Sequence, residues 1–409
     1  MKTAAAPLQA AATGGSRIEL ADGRVLIDGI ASWWTACHGY NHPHIADAVR
    51  RQLAAMPHVM FGGLVHEPAL LLADRLAALL PGDLERVFFS DSGSVSVEVA
   101  IKMAMQYWLN RGVRTRHRLL AFRGGYHGDT IATMAVCDPE EGMHSLFAGV
   151  LPQHHVVALP RDADERAAFD RFLSEQAGGL AAILVEPLVQ GAGGMVFHDP
   201  GVLRHLRQAA DRHGLLLILD EVFTGFGRTG TMFACEQAGI VPDIITLSKA
   251  LTGGTMGLAA TVARRHVFEA FWSDDPLCAL MHGPTFMANP LACSAALASL
   301  ELFATEDRLG QVAGIERQLA LELEPCAALP GVRDVRVRGA IGVVQLDRAP
   351  ADMNGLKRRL VQQGVWVRPF RDIIYLTPAF TIAARDLSHL TRAIHAVLAD
   401  SSVMLTTPA

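Results

Sequence analysis

The sequence predicts an α/β protein in which a three-layer α/β/α large domain surrounds a mostly parallel sheet, with a smaller α+β domain built from both termini. Three observations lead to this prediction. Short apolar runs alternate with helix-like segments through the middle of the chain, as in α/β proteins. The runs are continuously apolar, which is typical of strands covered on both faces. The two ends carry short strands and turns around a few helices, which is an α+β composition.

Six apolar runs in the central part are the candidate strands. They cover residues 86–90, 118–122, 181–187, 215–221, 244–249 and 258–263. Each run is short, rich in aliphatic or β-branched residues, and bounded by turn-forming residues. The clearest helix is predicted over 94–109, where apolar side chains recur on one face at Val97, Ile101, Met105 and Trp108.

Changes in composition divide the chain into four segments. We predict a flexible, alanine-rich arm over 1–16, the N-terminal part of the small domain over 17–44, the large domain over 45–304 and the C-terminal part of the small domain over 305–409. A hairpin with its turn at Asp22 and Gly23 is expected over 17–29. Because 409 residues exceed the usual size of one hydrophobic core, a large domain with a smaller companion is expected.

Composition and charge exclude several classes of function. Half of the residues are hydrophobic, 19% are charged and the formal net charge is −5, so that the protein resembles a globular enzyme and lacks a basic stripe for nucleic acid. No apolar run reaches about 18 residues, the length of a membrane span. The six cysteines lack metal-like spacing and are expected to be reduced thiols in the cytoplasm. His42 and His44 flank a proline, so we interpret them as turn residues and predict no metal site.

Polar residues follow four of the predicted strands, at the edge of the sheet where α/β proteins bind ligands. Gly93 and Ser94 follow the strand over 86–90 and open the long helix, and Tyr126 follows the strand over 118–122. Asp220, with Glu221 beside it, ends the strand over 215–221, and Lys249 ends the strand over 244–249. We therefore expect these side chains to converge.

Each of these side chains has a functional reading and a structural one. The helix start at Gly93 and Ser94 offers free N–H groups and a positive dipole end to a phosphate, although an ordinary N-cap would look the same. Asp220 is a costly buried carboxylate unless it pairs with a cation, either a protonated pyridine nitrogen or a structural partner. Lys249 is either a desolvated amine that forms a Schiff base with a carbonyl, or a lysine that reaches solvent.

Taken together, the three groups favour one ligand. Pyridoxal 5'-phosphate has a phosphate, a ring nitrogen and an aldehyde, and the predicted sheet edge supplies one partner for each of them. Tyr126 is placed to stack on the ring. The combination is more specific than any of its parts, so we predict a pyridoxal phosphate site here.

A rival motif lies at residues 225–230, where "GFGRTG" matches the glycine pattern of nicotinamide-dependent oxidoreductases. The glycines begin four residues after the strand ends, and the carboxylates of Asp220 and Glu221 would face a pyrophosphate with the wrong charge. No helical period follows, and Asp243 comes too early to bind a ribose. We therefore reject the nicotinamide-dependent reading of this segment.

The segments "LDEVFTGFGRTG" at 219–230 and "PDIITLSKALTGG" at 242–254 resemble the long signature of class III, fold-type I aminotransferases, and the resemblance extends from about residue 17 onwards. It implies that Lys249 binds the aldehyde of the cofactor and that Asp220 pairs with the pyridinium. It also implies that Gly93 and Ser94 bind the phosphate and that Tyr126 stacks on the ring, so that Lys249, Asp220 and Tyr126 form the catalytic set.

The segment "MHGPTF" at 281–286 resembles the part of the family signature that reaches into a neighbouring subunit. Thr285, with Pro284 before it, is implied to contact the phosphate of that subunit's cofactor, and Gly283 to line its substrate pocket. The resemblance therefore implies an obligate homodimer with shared active sites.

Other segments, such as "ASWWTACHGYNHP" at 31–43, resemble the branch of the family that converts 8-amino-7-oxononanoate to 7,8-diaminononanoate in biotin synthesis. The resemblance implies that Trp33 and Trp34 line the pocket for the aliphatic chain, although core packing would also explain one of them. Arg368 is implied to bind the terminal carboxylate of the keto acid as a bidentate pair. Tyr375, together with Tyr126 and Gly283, completes the expected substrate set.

The amino donor implied by this branch is S-adenosylmethionine. Members of the branch have a longer arm with a donor-contacting tyrosine, whereas here no tyrosine precedes Tyr40. Lysine or another amine therefore stays an alternative donor. Two further alternatives are an ω-amino acid or diamine aminotransferase of the same family and a binding protein that holds no cofactor.

Overall fold

The computed structural model describes residues 6–140, 144–147 and 149–400. Its strands, in chain order, are β1 (Ala10–Gly14), β2 (Arg17–Leu20), β3 (Val25–Asp28), β4 (Leu84–Ser90), β5 (Arg118–Phe122), β6 (His155–Val157), β7 (Leu180–Val185), β8 (Val189–Gln190), β9 (Val196–Phe197), β10 (Leu216–Asp220), β11 (Ile244–Leu247), β12 (Ala259–Arg264), β13 (Val332–Arg338), β14 (Ile341–Leu346), β15 (Val365–Trp366) and β16 (Ile373–Leu376).

The longer helices cover the sheet and the C-terminal part of the chain. They are Pro43–Ala55, Glu67–Leu79, Gly93–Asn110, Ala163–Gln176, Pro200–His213, Pro290–Thr305, Arg308–Leu323, Met353–Gln362 and Ala384–Ala399, with short helices at Ile131–Met134, Cys235–Ala238 and Arg265–Glu269. Within the described ranges, no helix combines the length and the apolar character needed to cross a bilayer.

The large sheet has seven strands in the order β4-β12-β11-β10-β7-β5-β6. β12 is antiparallel to both of its neighbours, whereas the other pairs are parallel. The mostly parallel sheet, its six predicted strands and the helix predicted over 94–109 are therefore confirmed. The sequence analysis missed β6, because a half-buried strand of three residues at the sheet edge leaves too short a pattern.

Side chains that alternate along the strands divide the core into two layers. Ala182, Leu184, Leu216 and Ile218 belong to the cluster packed with the helix Gly93–Asn110, whereas Ile183, Val185, Leu217 and Leu219 belong to the larger cluster on the opposite face. Successive residues of a strand point to opposite faces, so that continuous apolar runs bury both faces of this sheet. The predicted three-layer α/β/α arrangement is confirmed.

The two ends of the chain meet in a second, four-stranded sheet with the order β1-β2-β3-β15. β15 pairs in parallel with β3, so both termini contribute to the smaller α+β part, as predicted. A further sheet, β13-β14-β16, lies in the C-terminal part. The predicted hairpin is present, since β2 and β3 are antiparallel and Gly23 N donates to Leu20 O at 2.9 Å.

The predicted flexible arm over 1–16 differs from the structure in part. Residues Ala10–Gly14 form β1, which pairs antiparallel with β2 and so belongs to a sheet. The alanines gave no strand signal, because alanine has little β propensity and the pairing partner supplies the order. Residues 1–5 of the predicted arm lie outside the described residues. The other domain boundaries stay predictions.

Asp243 joins three strands of the large sheet at the end opposite to the predicted site. It is 4% exposed, its carboxylate accepts hydrogen bonds from Leu217 N at 2.7 Å and Arg207 Nη1 at 2.7 Å, and His266 Nε2 lies 3.2 Å away. Its backbone also pairs with Leu217 and Arg264. Burial alone would raise the pKa of Asp243, but the bonds from His266, Arg207 and Leu217 outweigh burial and lower it.

We expect the substitution D243N to lower the free energy of unfolding by about 3 kcal/mol, because it leaves Arg207 without its buried carboxylate partner. The matched control is D211N, since the exposed Asp211 binds the same arginine at 2.7 Å and is expected to contribute under about 1 kcal/mol. Urea unfolding of the cofactor-free protein at pH 7 measures the free energy of unfolding for both variants.

Because the folded-state pKa of Asp243 is depressed, its contribution is present above the usual carboxyl pKa and is lost as pH falls below about 4. The difference between D243N and the unchanged protein should shrink over that range. Equal losses for D243N and D211N would contradict this account of the sheet.

Candidate active site

The four predicted strand ends do converge on one edge of the large sheet. Ser94 Oγ, at the start of the helix after β4, accepts a hydrogen bond from Asp129 N at 3.1 Å in the loop after β5. In the same loop, His127 Nδ1 lies 2.8 Å from Asp220 Oδ2 at the end of β10. Lys249 lies two residues beyond the end of β11, close enough to Asp220 for the carboxylate to affect its pKa.

The helix Gly93–Asn110 presents its N-terminus to this edge. Its N-cap is Ser92, whose Oγ accepts from Val95 N at 3.3 Å, and Ser96 N donates to Ser92 O at 2.9 Å. The cap thus uses the N–H groups of residues 95 and 96, and those of Gly93 and Ser94 are left at the helix end. The first turn carries no acidic residue. Such an end attracts a phosphate.

Asp220 is held in the buried floor of the site. The residue is 4% exposed, and its Oδ1 accepts from Val222 N at 3.1 Å and Thr246 Oγ1 at 3.3 Å, while Oδ2 pairs with His127. Burial alone would lower the pKa of His127, but Asp220 and Glu186 outweigh burial and raise it. The two carboxylates thus favour the charged form of the imidazole.

His127 is a site residue to which the sequence analysis gave no role. It follows Tyr126 directly in "RGGYHGD", at the end of a strand, so that its position was visible in the sequence. Its partner was not visible, because Asp220 is 93 residues away in the chain. The pairing of Asp220 with a pyridinium stays a prediction. The sequence analysis also left open a structural partner for Asp220, and in the structure that partner is His127.

Glu186 is a second buried acid near this pair. One carboxylate oxygen accepts from Tyr126 N at 3.0 Å and the other from Gly191 N at 3.0 Å. Burial raises the pKa of Glu186 to about 7, although His127 acts in the opposite direction. Tyr126 is half-buried, and its hydroxyl donates to Asp129 Oδ1 at 2.9 Å. Glu186 thus fixes the loop that carries both Tyr126 and His127.

Lys249 opens the short 3-10 turn Lys249–Thr252 with a φ of 45°. Its Nζ lies 4.6 Å from the centroid of the Trp34 ring and 5.5 Å from that of Phe223. The residue as a whole is half-buried. Burial lowers the pKa of Lys249 to about 8, while Asp220 and Glu186 act in the opposite direction. Such an amine is a nucleophile near neutral pH.

Trp33 and Trp34 lie on a left-handed turn, Ala31–Trp34, which we call the indole turn. All four residues have positive φ, between 45° and 70°, and left-handed backbone costs about 1–2 kcal/mol per non-glycine residue. Trp34 packs on Phe223 and Tyr375 with ring centroids at 5.3 Å and 5.8 Å. Its buried Nε1 has no hydrogen-bond partner among the described residues.

Trp33 and Arg368 form the outer part of the same pocket. Trp33 is 55% exposed, and its ring centroid lies 5.6 Å from Cζ of Arg368. Tyr375 is 2% exposed and packs edge-on against Phe370. The structure therefore brings together the predicted substrate residues Trp33, Trp34, Arg368 and Tyr375, with Lys249 at the inner end. Phe223 joins them although sequence reasoning gave it no role.

The segment with Gly283, Pro284 and Thr285 is not brought to the site of its own chain. It crosses the outer side of the helix Gly93–Asn110, where Lys102 Nζ donates to Met281 O at 2.8 Å and lies 3.2 Å from His282 Nδ1. Thr285 and Gly283 are exposed. Their roles in a neighbouring subunit stay predictions.

The rival motif "GFGRTG" forms a buried structural loop. Glu221 is 0% exposed and accepts from Ala234 N at 2.7 Å and Cys235 N at 2.9 Å, closing the loop on itself. Arg228 donates to Ala340 O at 3.2 Å and Pro378 O at 2.8 Å. The loop therefore joins the sheet to the C-terminal part of the chain, and Asp243 is occupied by Arg207.

The residues at this edge fit pyridoxal phosphate. A helix end without acidic residues suits the phosphate, a buried carboxylate suits the ring nitrogen and a lysine with a lowered pKa suits the aldehyde. The backbone is also packed closely beside the helix start, since a Cβ at Gly93 would lie 2.7 Å from Cγ1 of Val222.

Comparisons with known proteins agree with this geometry. A family model for class-III aminotransferases matches residues 2–398. The chain is 48% identical to the adenosylmethionine-8-amino-7-oxononanoate aminotransferase of Mycobacterium leprae, over 95% of this chain and 90% of that relative. It is 44% identical to the protein of the same name from Corynebacterium glutamicum, over 94% of this chain and 92% of the relative.

Solved structures give the same result. An adenosylmethionine-8-amino-7-oxononanoate aminotransferase from Methanocaldococcus jannaschii matches with a TM-score of 0.91 and 29% identity, covering 96% of this chain and 93% of that one. A PLP-bound amine transaminase from an uncultivated Pseudomonas species matches with a TM-score of 0.89 and 32% identity, covering 96% and 95%.

The predicted family, fold type, enzyme class and cofactor are thereby confirmed, whereas the roles of individual site residues stay predictions. By the family match over residues 2–398, the chain belongs to the class-III aminotransferases, which depend on pyridoxal 5'-phosphate.

Proposed function

We propose that this chain transfers an amino group to 8-amino-7-oxononanoate, giving 7,8-diaminononanoate for biotin synthesis, with S-adenosylmethionine as the donor. The observation that carries the proposal is the pocket in which Lys249 Nζ lies 4.6 Å from the Trp34 ring, with Trp33 and Arg368 at its outer end. An aliphatic keto acid with a terminal carboxylate suits a pocket with an amine inside, indoles along it and a guanidinium outside. The names of the relatives at 48% and 44% identity support the same reaction.

In this proposal the bound cofactor supplies an aldehyde that carries the amino group and a ring that accepts electrons. Side chains and backbone groups of this chain carry out the other roles. Lys249, with its pKa lowered by burial, takes and returns the proton at the substrate carbon. Asp220, which His127 engages at 2.8 Å, would pair with the protonated ring nitrogen. The helix start at Gly93 and Ser94 would hold the phosphate.

The acceptor pocket orders the keto acid by its two ends. Trp34, packed on Phe223 and Tyr375, forms the apolar wall next to the reacting carbon. Arg368 is half-buried beside Trp33, so that a bidentate pair with a carboxylate is partly shielded from water. Binding both ends places the carbonyl near the lysine, which is the geometric part of catalysis.

The donor proposal rests on the names of the relatives. The first tyrosine of the chain is Tyr40, which binds Asp28 and Ser32. Lysine stays the alternative donor. Single-turnover measurements with each amine, followed by addition of 8-amino-7-oxononanoate, separate the two.

We also propose that the protein acts as a homodimer in the cytoplasm. Large apolar side chains are exposed along and near the segment of Thr285, with Leu277 at 84%, Met281 at 79% and Phe286 at 58%. Burial of such a patch against a second copy would remove it from water and bring Thr285 to the partner's site. The six cysteines are free thiols, as expected in a reducing compartment.

Solved amine transaminases favour a second candidate function. The Pseudomonas structure with a TM-score of 0.89 shows that the same fold can serve amine substrates. The predicted substrate residue that discriminates is Arg368, since an amine without a carboxylate gains nothing from a guanidinium. Comparing 8-amino-7-oxononanoate with a carboxylate-free ketone as acceptors therefore tests one function against the other.

We expect K249A to lose the visible absorbance of lysine-bound cofactor and to lower turnover by about 10⁴-fold or more. The chain has four lysines, Lys2, Lys102, Lys249 and Lys357. K102R is the control, because it replaces another lysine and keeps a cation that can bind Met281 O, so that the segment of Thr285 stays in place. Borohydride reduction followed by peptide mass analysis should mark Lys249 alone. Retention of absorbance and turnover in K249A would refute the assignment.

The lowered pKa of Lys249 predicts how the cofactor-free protein captures pyridoxal phosphate. An amine reacts only when it is unprotonated, so the capture rate should rise by about tenfold per pH unit below pH 8 and level off above it. The titration of the cofactor cancels in the ratio of this rate to the rate of a free lysine derivative, and that ratio should stay level below about pH 8 and fall by about tenfold per pH unit from there to about pH 10. A ratio that stays level up to about pH 10 would mean an ordinary lysine.

Arg368 is expected to bind the acceptor through its carboxylate. R368A should raise KM for 8-amino-7-oxononanoate by roughly 30-fold, the equivalent of about 2 kcal/mol for a charge-assisted pair, and R368K should recover only part of it. R358A is the control, since Arg358 is exposed and pairs with Asp352. For a ketone without a carboxylate, R368A should leave KM unchanged. The same loss with both acceptors would indicate a structural role instead.

A further inference from the structure

The indole turn is held by one buried carboxylate. Asp28 is 1% exposed, and its Oδ1 accepts from Ile30 N at 2.8 Å while Oδ2 accepts from Ser32 N at 3.0 Å. The same Oδ2 accepts from the hydroxyl of Tyr40, which also hydrogen-bonds Ser32 Oγ. The side-chain hydrogen bonds of Asp28 are therefore made with the backbone of residues 30 and 32 and with a tyrosine that reaches back to the turn.

The backbone beyond Asp28 is fixed at both ends of the turn. Trp34 N donates to Ile30 O at 2.9 Å and Thr35 N to Ala31 O at 2.9 Å. Thr377 Oγ1 donates to Ile30 O at 3.3 Å. These bonds close the turn on itself, but they do not select its hand. The donors at residues 30 and 32 converge on one carboxylate, and this convergence favours the left-handed form.

We propose that Asp28, with Tyr40, is a positioning residue for the keto acid acceptor. It holds the indole turn in the left-handed form and so determines the positions of both indole rings. The proposal rests on the proposed function, in which these indoles line the acceptor pocket. In a right-handed turn the two side chains would project in other directions. The Trp34 ring would then no longer lie next to the amine of Lys249, and the Trp33 ring would no longer lie next to Arg368.

Ser32 allows a test of the backbone alone. It is exposed and its φ is 45°. S32G and S32V both remove the hydroxyl that binds Tyr40, but glycine adopts positive φ without a steric cost whereas a β-branched residue strongly resists it. The two variants therefore differ in backbone preference far more than in contacts.

We expect S32V to raise KM for 8-amino-7-oxononanoate by about tenfold, the equivalent of 1.4 kcal/mol, and S32G by less than about threefold. KM for the amino donor should change less than KM for the acceptor in both. In the cofactor-free protein, near-UV circular dichroism should lose tryptophan bands in S32V and retain them in S32G. Equal effects of valine and glycine on both measurements would overturn the proposal.

Asp28 itself is tested by D28N against D22N. Asp22 lies in the same hairpin, is exposed and binds Arg24, so that the same substitution there leaves the turn untouched. D28N should reproduce the near-UV change and the rise in acceptor KM that S32V gives, whereas D22N should give neither. A lower melting temperature for D28N without those two changes would assign Asp28 a purely structural role and overturn the proposal.

The outcomes also separate this proposal from the proposed function. If the unchanged protein does not use 8-amino-7-oxononanoate, the proposed function fails, while the near-UV comparison of S32V with S32G still tests how the turn is held. If the protein uses the keto acid but S32V, S32G and D28N behave alike, the proposed function stands and the role of Asp28 fails.

Discussion

The site depends on the burial of one amine beside one ion pair. Burial lowers the pKa of Lys249 to about 8, whereas Asp220, which His127 engages at 2.8 Å, acts in the opposite direction. A carboxylate without such a partner would favour the protonated amine more strongly. The parallel sheet makes this arrangement possible, since the carboxyl ends of β5, β10 and β11 meet at one edge although they are distant in the chain.

A buried chain of hydrogen bonds fixes the turn that carries the lysine. Ser299 Oγ donates to Ala250 O at 3.3 Å and lies 3.0 Å from His38 Nε2, while Arg308 Nε donates to His38 Nδ1 at 3.0 Å. Burial, with the charge of Arg308, lowers the pKa of His38 to about 3. The neutral ring accepts from Arg308 and donates to Ser299, so that the turn next to Lys249 is connected rigidly to two helices.

Sequence reasoning reached the parts of the site that sit on regular elements. Lys249 and Asp220 could be predicted because strand ends follow from apolar runs. The pairing of His127 with Asp220 could not, since it depends on which strands become neighbours. The indole turn could not either, because nothing in "ASWW" favours positive φ and the hand of the turn depends on Asp28 and Tyr40. The predicted role of Thr285 concerns a neighbouring subunit, so that the fold of one chain does not test it.

The two halves of the pocket come from different parts of the fold, and one close contact joins them. The large sheet supplies the amine and its acid, whereas residues 31–34 and the strands near the C-terminus supply the indoles and Arg368. Gly254, with a φ of 78°, lies so close to the N-terminal segment that a Cβ there would be 2.9 Å from the backbone of Ala36. Any side chain at 254 would push this segment outwards, and Trp34 with it. The glycine therefore sets the distance between the part of the site with Lys249 and Asp220 and the part with the two indoles and Arg368.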